Sequence, residues 1–330
     1  MHVQLYAWII TLAITLTFLL VDIFVIGRRP HEPSTTESAR HLAFFIGSAL
    51  AFGIGVYLIS GASYGGQFFA GWLTEYSLSV DNLFVFIIIM TKLDVPRKLQ
   101  QSALLVGIVL ALIMRGIFIG LGAAAINTFS WVFYLFGAFL VYTAIKLAGQ
   151  GESHEDDFKE NVLMRWTRKH LPSTEEYHGS KLTVRRNGKR LITPMAIVIV
   201  ALGTTDLLFA LDSIPAIYGL TSEPFLVLTA NIFALMGLRQ LYFLIGDLLQ
   251  RLVYLSLGLS VLLAFIGVKL VLHAMHENEL PFINGGDHIG WAPDIPVWVS
   301  LVAIVGILSV TTVASLLKTR RDRGAVPTSH

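Results

Sequence analysis

Residues 102–125 of the chain read SALLVGIVLALIMRGIFIGLGAAA, an apolar run with one charged residue, Arg115. The hydrocarbon core of a bilayer requires about 20 apolar residues in helical conformation. A buried helix of a soluble protein needs a much shorter apolar run. The stretch therefore predicts a transmembrane helix.

Eight further stretches share this length and composition. Across the 330 residues, hydrophobic residues make up 55% and charged residues 14%, against about 25% charged residues in ordinary globular proteins. The sequence therefore predicts an all-α, polytopic membrane bundle of about nine transmembrane helices. The predicted spans are residues 5–26, 41–60, 68–90, 102–125, 130–148, 193–217, 225–246, 252–272 and 296–317.

Lysine and arginine residues are segregated among the connections between the spans. The connections after the odd-numbered spans and the C-terminal tail carry them, and the other four connections carry none. Because basic loops stay in the cytoplasm, this pattern predicts a cell-membrane protein with its N-terminus outside and its C-terminus in the cytoplasm. The first span lacks a preceding basic region and a following cleavage site, so we interpret it as a retained helix and not a signal peptide.

The chain accordingly divides into four parts. They are residues 1–148 with spans one to five, a cytoplasmic loop at 149–192, residues 193–317 with spans six to nine, and a cytoplasmic tail at 318–330. The loop mixes acidic and basic residues, so a solvated linker is the favoured interpretation. Within it, residues 158–170 fit an amphipathic helix, and residues 184–190 fit a hairpin with an Asn-Gly turn.

An internal repeat joins the third span to the sixth. Residues 74–82 read TEYSLSVDN and residues 205–213 read TDLLFALDS, so each has two carboxylates six residues apart. An arginine in the next span and a lysine near the end of the one after it follow in both halves. Because three spans is an odd number, the two halves are expected to be inverted in the membrane, an arrangement typical of secondary transporters.

Ionisable residues inside spans cost about 2.5–3.5 kcal/mol each on insertion scales and are therefore functional candidates. The repeat segments place four carboxylates there. Residues six apart point about 120° apart on an unbroken helix, so each span presents a broad polar flank, and we expect the two flanks to enclose one cavity. The predicted metal ligands are Glu75, Asp81, Asn82, Asp206, Asp212 and Ser213, supported by Asp22, Thr74, Ser79, Thr205, Leu211, Asn231, Arg115 and Arg239.

Pro215 adds a backbone ligand to this prediction. A proline inside a helix removes the hydrogen bond to the carbonyl four residues earlier, which here belongs to Leu211. A break at Pro215 would also let Asp206 and Asp212 converge on one site.

Carboxylate, amide and carbonyl oxygens suit hard cations such as magnesium, calcium and manganese. The same carboxylates can carry protons, so cation–proton exchange fits them as well. The chain has no Cys, which excludes disulfides and thiolate metal sites. The alternative is that the acids form buried ion pairs with Arg115 and Arg239, although four carboxylates outnumber two guanidinium groups. No H-E-x-x-H or P-loop motif occurs, and neither enzyme activity nor a permanently bound cofactor is predicted.

Several segments together resemble one known family. Residues 77–86 (SLSVDNLFVF) and 209–217 (FALDSIPAI) resemble the two signature segments of the TerC family of integral membrane proteins, including its Alx-type members. Similar matches occur at 230–239 (ANIFALMGLR), 241–243 (LYF), 175–179 (EEYHG) and 184–188 (VRRNG). The resemblance extends from the first span to the ninth.

This resemblance implies an integral membrane transporter related to LysE-like cation exporters. Members of the family are associated with manganese export, and the family name comes from tellurite resistance. The acids above, with Asn82 and Ser213, would carry the metal route. Many relatives have a glutamate three residues before the position of Asp206, where this chain has Gly203.

Three functional hypotheses follow. The first is a manganese exporter, with proton exchange as its coupling. The second is a membrane partner of the secretion or metalation apparatus that acts through the loop 149–192. The third keeps transport but changes the cargo to calcium, protons or an oxyanion held by Arg115 and Arg239.

Overall fold

We describe the protein from a computed structural model. The structure describes residues 3–21, 34–129, 131–150, 174, 176–186, 189–249, 254–276, 278, 280, 283–287, 289–293 and 295–324. Its helices are α1 (Leu5–Val21), α2 (Thr35–Ser60), α3 (Ala62–Lys92), α4 (Arg97–Thr128), α5 (Val132–Gln150), α6 (Pro194–Tyr218), α7 (Pro224–Met236), α8 (Leu238–Leu249), α9 (Leu255–His276) and α10 (Val297–Gly324). The strands are β1 (Thr183–Arg186) and β2 (Lys189–Ile192).

The predicted membrane bundle is confirmed. Within the described ranges, eight helical segments are long and apolar enough to cross a bilayer, and α1 is a shorter apolar helix of 17 residues. Large apolar side chains also cover the outer surface; Ile59, for example, is 87% exposed. Such a surface suits lipid, because soluble monomers expose only small apolar patches. The chain is therefore a multi-pass integral membrane protein.

Local sequence explains where α6 begins. Thr193 is its N-cap and accepts a hydrogen bond from the backbone N–H of Ala196, and Pro194 occupies the first turn. Both choices are favoured at helix N-termini. The helix then runs without interruption to Tyr218. The break predicted at Pro215 is therefore wrong, because a proline so near the C-terminal end removes a hydrogen bond that the last turn can lose.

The seventh predicted span, by contrast, is divided. It consists of α7 and α8, which meet at Gly237. Gly237 caps α7, and a Cβ on this glycine would lie 3.1 Å from Leu42 and 3.7 Å from Tyr76. The small residue thus lets α2 and α3 approach the junction closely.

Helix pairs from the two predicted halves pack across each other. The first half contributes α3, which packs against α7, and α4, which packs against α6; α5 packs against α9. The last pair is very close, since a Cβ on Gly137 would lie 2.8 Å from the carbonyl oxygen of Gly267. The inverted repeat itself stays a prediction.

The predicted hairpin of the 149–192 loop is confirmed in its strands. β1 pairs with β2 in antiparallel register, Val184 opposite Leu191. The turn residues and the helix predicted at 158–170 lie outside the described residues. The hairpin region is attached to the bundle, because the hydroxyl of Tyr177 donates a hydrogen bond of 2.7 Å to the carbonyl of Leu93, directly after α3.

Candidate functional site

An arginine lies between two of the predicted acids in the centre of the bundle. Arg115 of α4 donates from Nε to Asp206 Oδ2 at 3.3 Å and from Nη2 to Oδ1 at 3.1 Å. Its Nη1 forms an ion pair with Oε1 of Glu75 on α3. The side chains of Arg115 and Glu75 are completely buried, and that of Asp206 is 3% exposed. Three helices are thus joined by one buried triad of ionisable groups.

With all three groups ionised, the triad would not be electrically balanced, because two carboxylates and one guanidinium would sum to one negative charge. The second oxygen of Glu75, Oε2, has no hydrogen-bond partner in the described part of the chain. Isolating a charge from water costs several kcal/mol unless partners compensate it. An uncompensated negative charge at this depth is an arrangement that a bound cation would complete.

Unpartnered polar groups accompany the triad. Among the described residues, four predicted side chains are buried and their polar atoms lack hydrogen-bond partners. They are Thr74, Ser79, Ser213 and Asn231. Buried polar groups are usually paired, so each such group requires an explanation.

The helix packing places these groups at a similar depth. A Cβ on Gly71 of α3 would lie 3.6 Å from Ala230 and 3.7 Å from Ile217. In the predicted topology, Glu75 and Ser213 each lie four residues, about 6 Å along their helices, from that contact towards the cytoplasmic side. Asn231 directly follows Ala230. The Glu75 carboxylate, the Ser213 hydroxyl and the Asn231 amide therefore lie at a similar depth in the bundle.

Asp212 lies at a second location, beside a cavity. Its Oδ1 accepts a hydrogen bond of 3.1 Å from the hydroxyl of Thr143 on α5. Both line a cavity of about 200 Å³ that also contains Asn82 and Lys146. The walls of the cavity are completed by Leu78, Leu147, Phe209, Leu259 and Leu263.

The structure therefore corrects the expected arrangement of the acids. We predicted one cavity that encloses all four carboxylates; instead Glu75 and Asp206 meet at Arg115, and Asp212 lines the separate cavity. The continuous helix α6 causes this division, because its residues 206 and 212 point about 120° apart. Among the described residues, no three acidic or histidine side chains form a cluster that would hold a metal ion alone.

The remaining predicted residues are dispersed. Thr205 is half-buried, and the side chain of Leu211 is exposed. Arg239 is buried beside a small cavity that it shares with Gln101 and Gln240, apart from the triad. Asp81 lies within α3, but its side chain is outside the described part of the structure, and so is Asp22.

Thr143 is a site residue that the sequence reasoning missed. The repeat comparison included its segment, but only Lys146, one turn later, carried a charge. A threonine three residues before a lysine at a span end was the available signal, because both lie on one helix face.

Gly203 lies where many relatives are expected to have a glutamate. It is buried in α6, and the side chain of Leu110 fills the space that a Cβ would enter. An additional acid at this position would therefore require the Leu110 side chain to move.

Residues 61–65 have the G-x-S-x-G spacing of hydrolase nucleophile elbows. Here Ser63 lies in the first turn of α3, where its hydroxyl accepts a hydrogen bond from Gln67. A nucleophile elbow requires a strand-to-helix turn. The segment is therefore a helix start and gives no support to a hydrolase.

Comparison with known proteins agrees with this architecture. A sequence model described as "Integral membrane protein TerC family" matches residues 60–323. The "Uncharacterized membrane protein MT2795" of Mycobacterium tuberculosis (strain CDC 1551 / Oshkosh) is 44% identical over 316 residues, which cover 95% of this chain and 79% of that protein. No solved structure is significantly similar to the chain.

Two further relatives are more distant. The "Uncharacterized membrane protein STKORF319" of Myxococcus xanthus is 38% identical over 313 residues, 95% of this chain and 92% of that protein. The "Putative membrane-bound redox modulator Alx" of Salmonella typhi is 34% identical over 309 residues, 91% of this chain and 90% of that protein.

Proposed function

Because the chain belongs to the TerC family of integral membrane proteins, we propose that it transports divalent metal cations across the cell membrane, with manganese as the cargo and export as the direction. The observation that carries the proposal is the buried triad of Glu75, Arg115 and Asp206, in which two carboxylates share one guanidinium and Glu75 Oε2 has no hydrogen-bond partner among the described residues. Intramembrane acids of this kind mark ion pathways.

The donor set supports a hard cation. Two carboxylates form the centre, and hydroxyl and amide groups of α3, α6 and α7 are buried without partners in the described part of the bundle. Magnesium, calcium and manganese are the ions that such oxygen ligands prefer. The residues that would bind the ion are Glu75 and Asp206, assisted by Ser213, Asn231, Thr74 and Ser79. Proton exchange through the same carboxylates is the coupling that we propose.

We propose the Asp212 cavity as the place from which the cation would reach this centre. It lies towards the C-terminal end of α5, the end that the distribution of basic residues predicts to be cytoplasmic. Asp212, Asn82 and Thr143 offer oxygen ligands there, and the cavity volume of about 200 Å³ accommodates an ion with its waters. We propose that a hydrated cation loads at Asp212 and then passes to the triad.

The alternative cargo, an oxyanion, has less support. An anion site would need a guanidinium that is available to the anion, whereas Arg115 is engaged by two carboxylates. The same acids repel an oxyanion, so a link to tellurite would be indirect.

A partner role in secretion or metalation has one observation in its favour, the attachment of Tyr177 to the end of α3. A redox role, suggested by the name of the Alx relative, would have to work without thiols, because the chain has no Cys. We therefore rank both below transport.

The proposal is tested by manganese flux into liposomes that contain the purified protein and an internal manganese-sensitive dye, with and without a pH gradient. We expect Asp206→Asn and Asp212→Asn to abolish flux. Asp94→Asn is a matched control, because Asp94 is exposed in the α3–α4 connection and its positive φ of 49° suits asparagine. Absence of flux in the wild-type protein, or full flux in both membrane variants, would contradict the proposal.

A further inference from the structure

The geometry points to a specific role for Arg115 in the transport cycle. We propose that its guanidinium is a tethered cation, which occupies the metal site between Glu75 and Asp206 when no metal is present and leaves when a divalent ion binds. This inference rests on the transport function proposed above and specifies which group occupies the site when no metal ion is bound.

The contacts of Arg115 exclude simultaneous occupation. Its guanidinium engages both oxygens of Asp206 and Oε1 of Glu75. Of the four carboxylate oxygens, Glu75 Oε2 is the one that neither the ion pair nor a hydrogen bond engages among the described residues. A divalent ion that is bound by both carboxylates would need the oxygens that the guanidinium holds, so metal and guanidinium must alternate.

Charge leads to the same conclusion. The two carboxylates carry a charge of −2 on their own and −1 with Arg115. A divalent ion would bring the site to +1 with the guanidinium in place, and to zero after it has withdrawn. Buried net charge is costly, so the metal-bound state favours the withdrawn arginine. The empty state favours the inserted one.

The unpartnered polar groups distinguish a tethered cation from a static ion pair. A purely structural network would be expected to satisfy its neighbours, because half-satisfied buried networks are costly. Here Glu75 Oε2 and the hydroxyl of Ser213 are buried without partners in the described part of the bundle. These atoms are ligands that the guanidinium does not use and a metal ion would use.

A tethered cation has a consequence for the empty transporter. Once the metal has left, the empty site must change its exposure across the membrane, and a site of charge −2 would move at a high cost. Insertion of Arg115 lowers that charge without a second ion. Arg115 is therefore predicted to be needed for the return of the empty site and not for the passage of the loaded one.

The first test is the affinity of the purified full-length protein for Mn²⁺ alone, measured by calorimetry in detergent. Replacing Arg115 by Met removes the competitor, so we expect Mn²⁺ to bind about tenfold more tightly or better, which corresponds to about 1.4 kcal/mol. Arg239→Met is the matched control: it removes another buried guanidinium, one that lies apart from the triad, and should give no such increase.

A structural role for Arg115 gives the opposite result, since loss of a structural arginine would weaken Mn²⁺ binding or leave it unchanged. Either outcome in the folded variant overturns the inference. If Arg115→Met does not fold, Arg115→Gln serves instead, because its amide can still donate to the carboxylates without a charge. The same increase in affinity is expected for it, and its absence counts equally against the tethered cation.

The second test separates the two halves of the cycle in liposomes. We expect Arg115→Met to retain exchange of Mn²⁺ for Mn²⁺, which needs no empty return, and to lose net Mn²⁺ flux at least tenfold. Arg115→Lys, which keeps a tethered charge, should recover part of the net flux. Equal loss of exchange and net flux would overturn the inference while leaving transport established. Failure of the wild-type protein to bind or move Mn²⁺ would instead refute the proposed function.

Discussion

Replacement of Arg115 by Met should destabilise the protein strongly. The change removes two hydrogen bonds to Asp206 and the ion pair to Glu75 at a site without access to water. Removal of one partner from a buried ion pair costs about 3–5 kcal/mol. Because two carboxylates lose their partner, we expect the upper part of this range.

A second substitution tests the cause. With Arg115→Met as background, Asp206→Asn eliminates one of the two stranded carboxylates. The double variant should therefore be more stable than the single Arg115→Met variant, by about 1–3 kcal/mol, although it differs from the wild type at two buried positions. Simple loss of packing would instead make the double variant the least stable of the three.

The assay is the midpoint of unfolding in detergent, by thermal denaturation and by titration with a denaturing detergent. A loss of 3 kcal/mol or more should lower the thermal midpoint by about 6 °C or more. Lys98→Met is the control, since Lys98 is exposed in the first turn of α4 and its change should stay within about 0.5 kcal/mol. An Arg115→Met variant as stable as the wild type would refute the reasoning.

Three other outcomes are expected. Gly137→Ala should lower the thermal midpoint, because the new Cβ would lie 2.7 Å from Val271 and 2.8 Å from the Gly267 carbonyl. Gly116→Ala is the control and should leave the midpoint unchanged, because nothing lies within 4 Å of its Cβ position. A lower midpoint for Gly116→Ala alone would contradict the described packing. Gly203→Glu should be poorly folded, as Leu110 fills its place, and Leu110→Ala should partly rescue it in expression and size-exclusion measurements. Tyr177→Phe removes the bond to Leu93, worth about 0.5–1.5 kcal/mol, and should speed amide hydrogen exchange in β1 and β2; unchanged exchange would show that other contacts hold the hairpin.

Hydropathy and turn chemistry were enough to predict much of the fold. The spans follow from apolar length alone, and the pairing of β1 with β2 follows from two short strands around an Asn-Gly pair. Pro215 and Gly237 show the limit of such signals. Helix α6 continues to Tyr218 although Pro215 lacks the N–H that would bond to the carbonyl of Leu211. Gly237 marks the junction of α7 and α8, where Leu42 of α2 and Tyr76 of α3 approach closely.

The residues of the candidate site could be nominated from the sequence, but their partnerships could not. We expected Asp206 and Asp212 to converge on one cavity, whereas on the continuous helix α6 the spacing of six residues points them in different directions. Periodicity gives the direction of each side chain about its own helix, but it does not say which neighbouring helix lies in that direction. The insertion of Arg115 between α3 and α6, and the pairing of Thr143 with Asp212, depend on tertiary packing and therefore emerged only from the structure.

The hydrogen bond from the Tyr177 hydroxyl to the Leu93 carbonyl couples the hairpin region to the end of α3. This helix is one rod of 31 residues, about 46 Å long, with Glu75 near its middle and the hairpin attached at its end. Because a continuous helix is stiff, a displacement of one end moves the residues along its whole length. A displacement of the hairpin would therefore move the carboxylate of Glu75 within the bundle, and a displacement of that carboxylate would in turn move the hairpin.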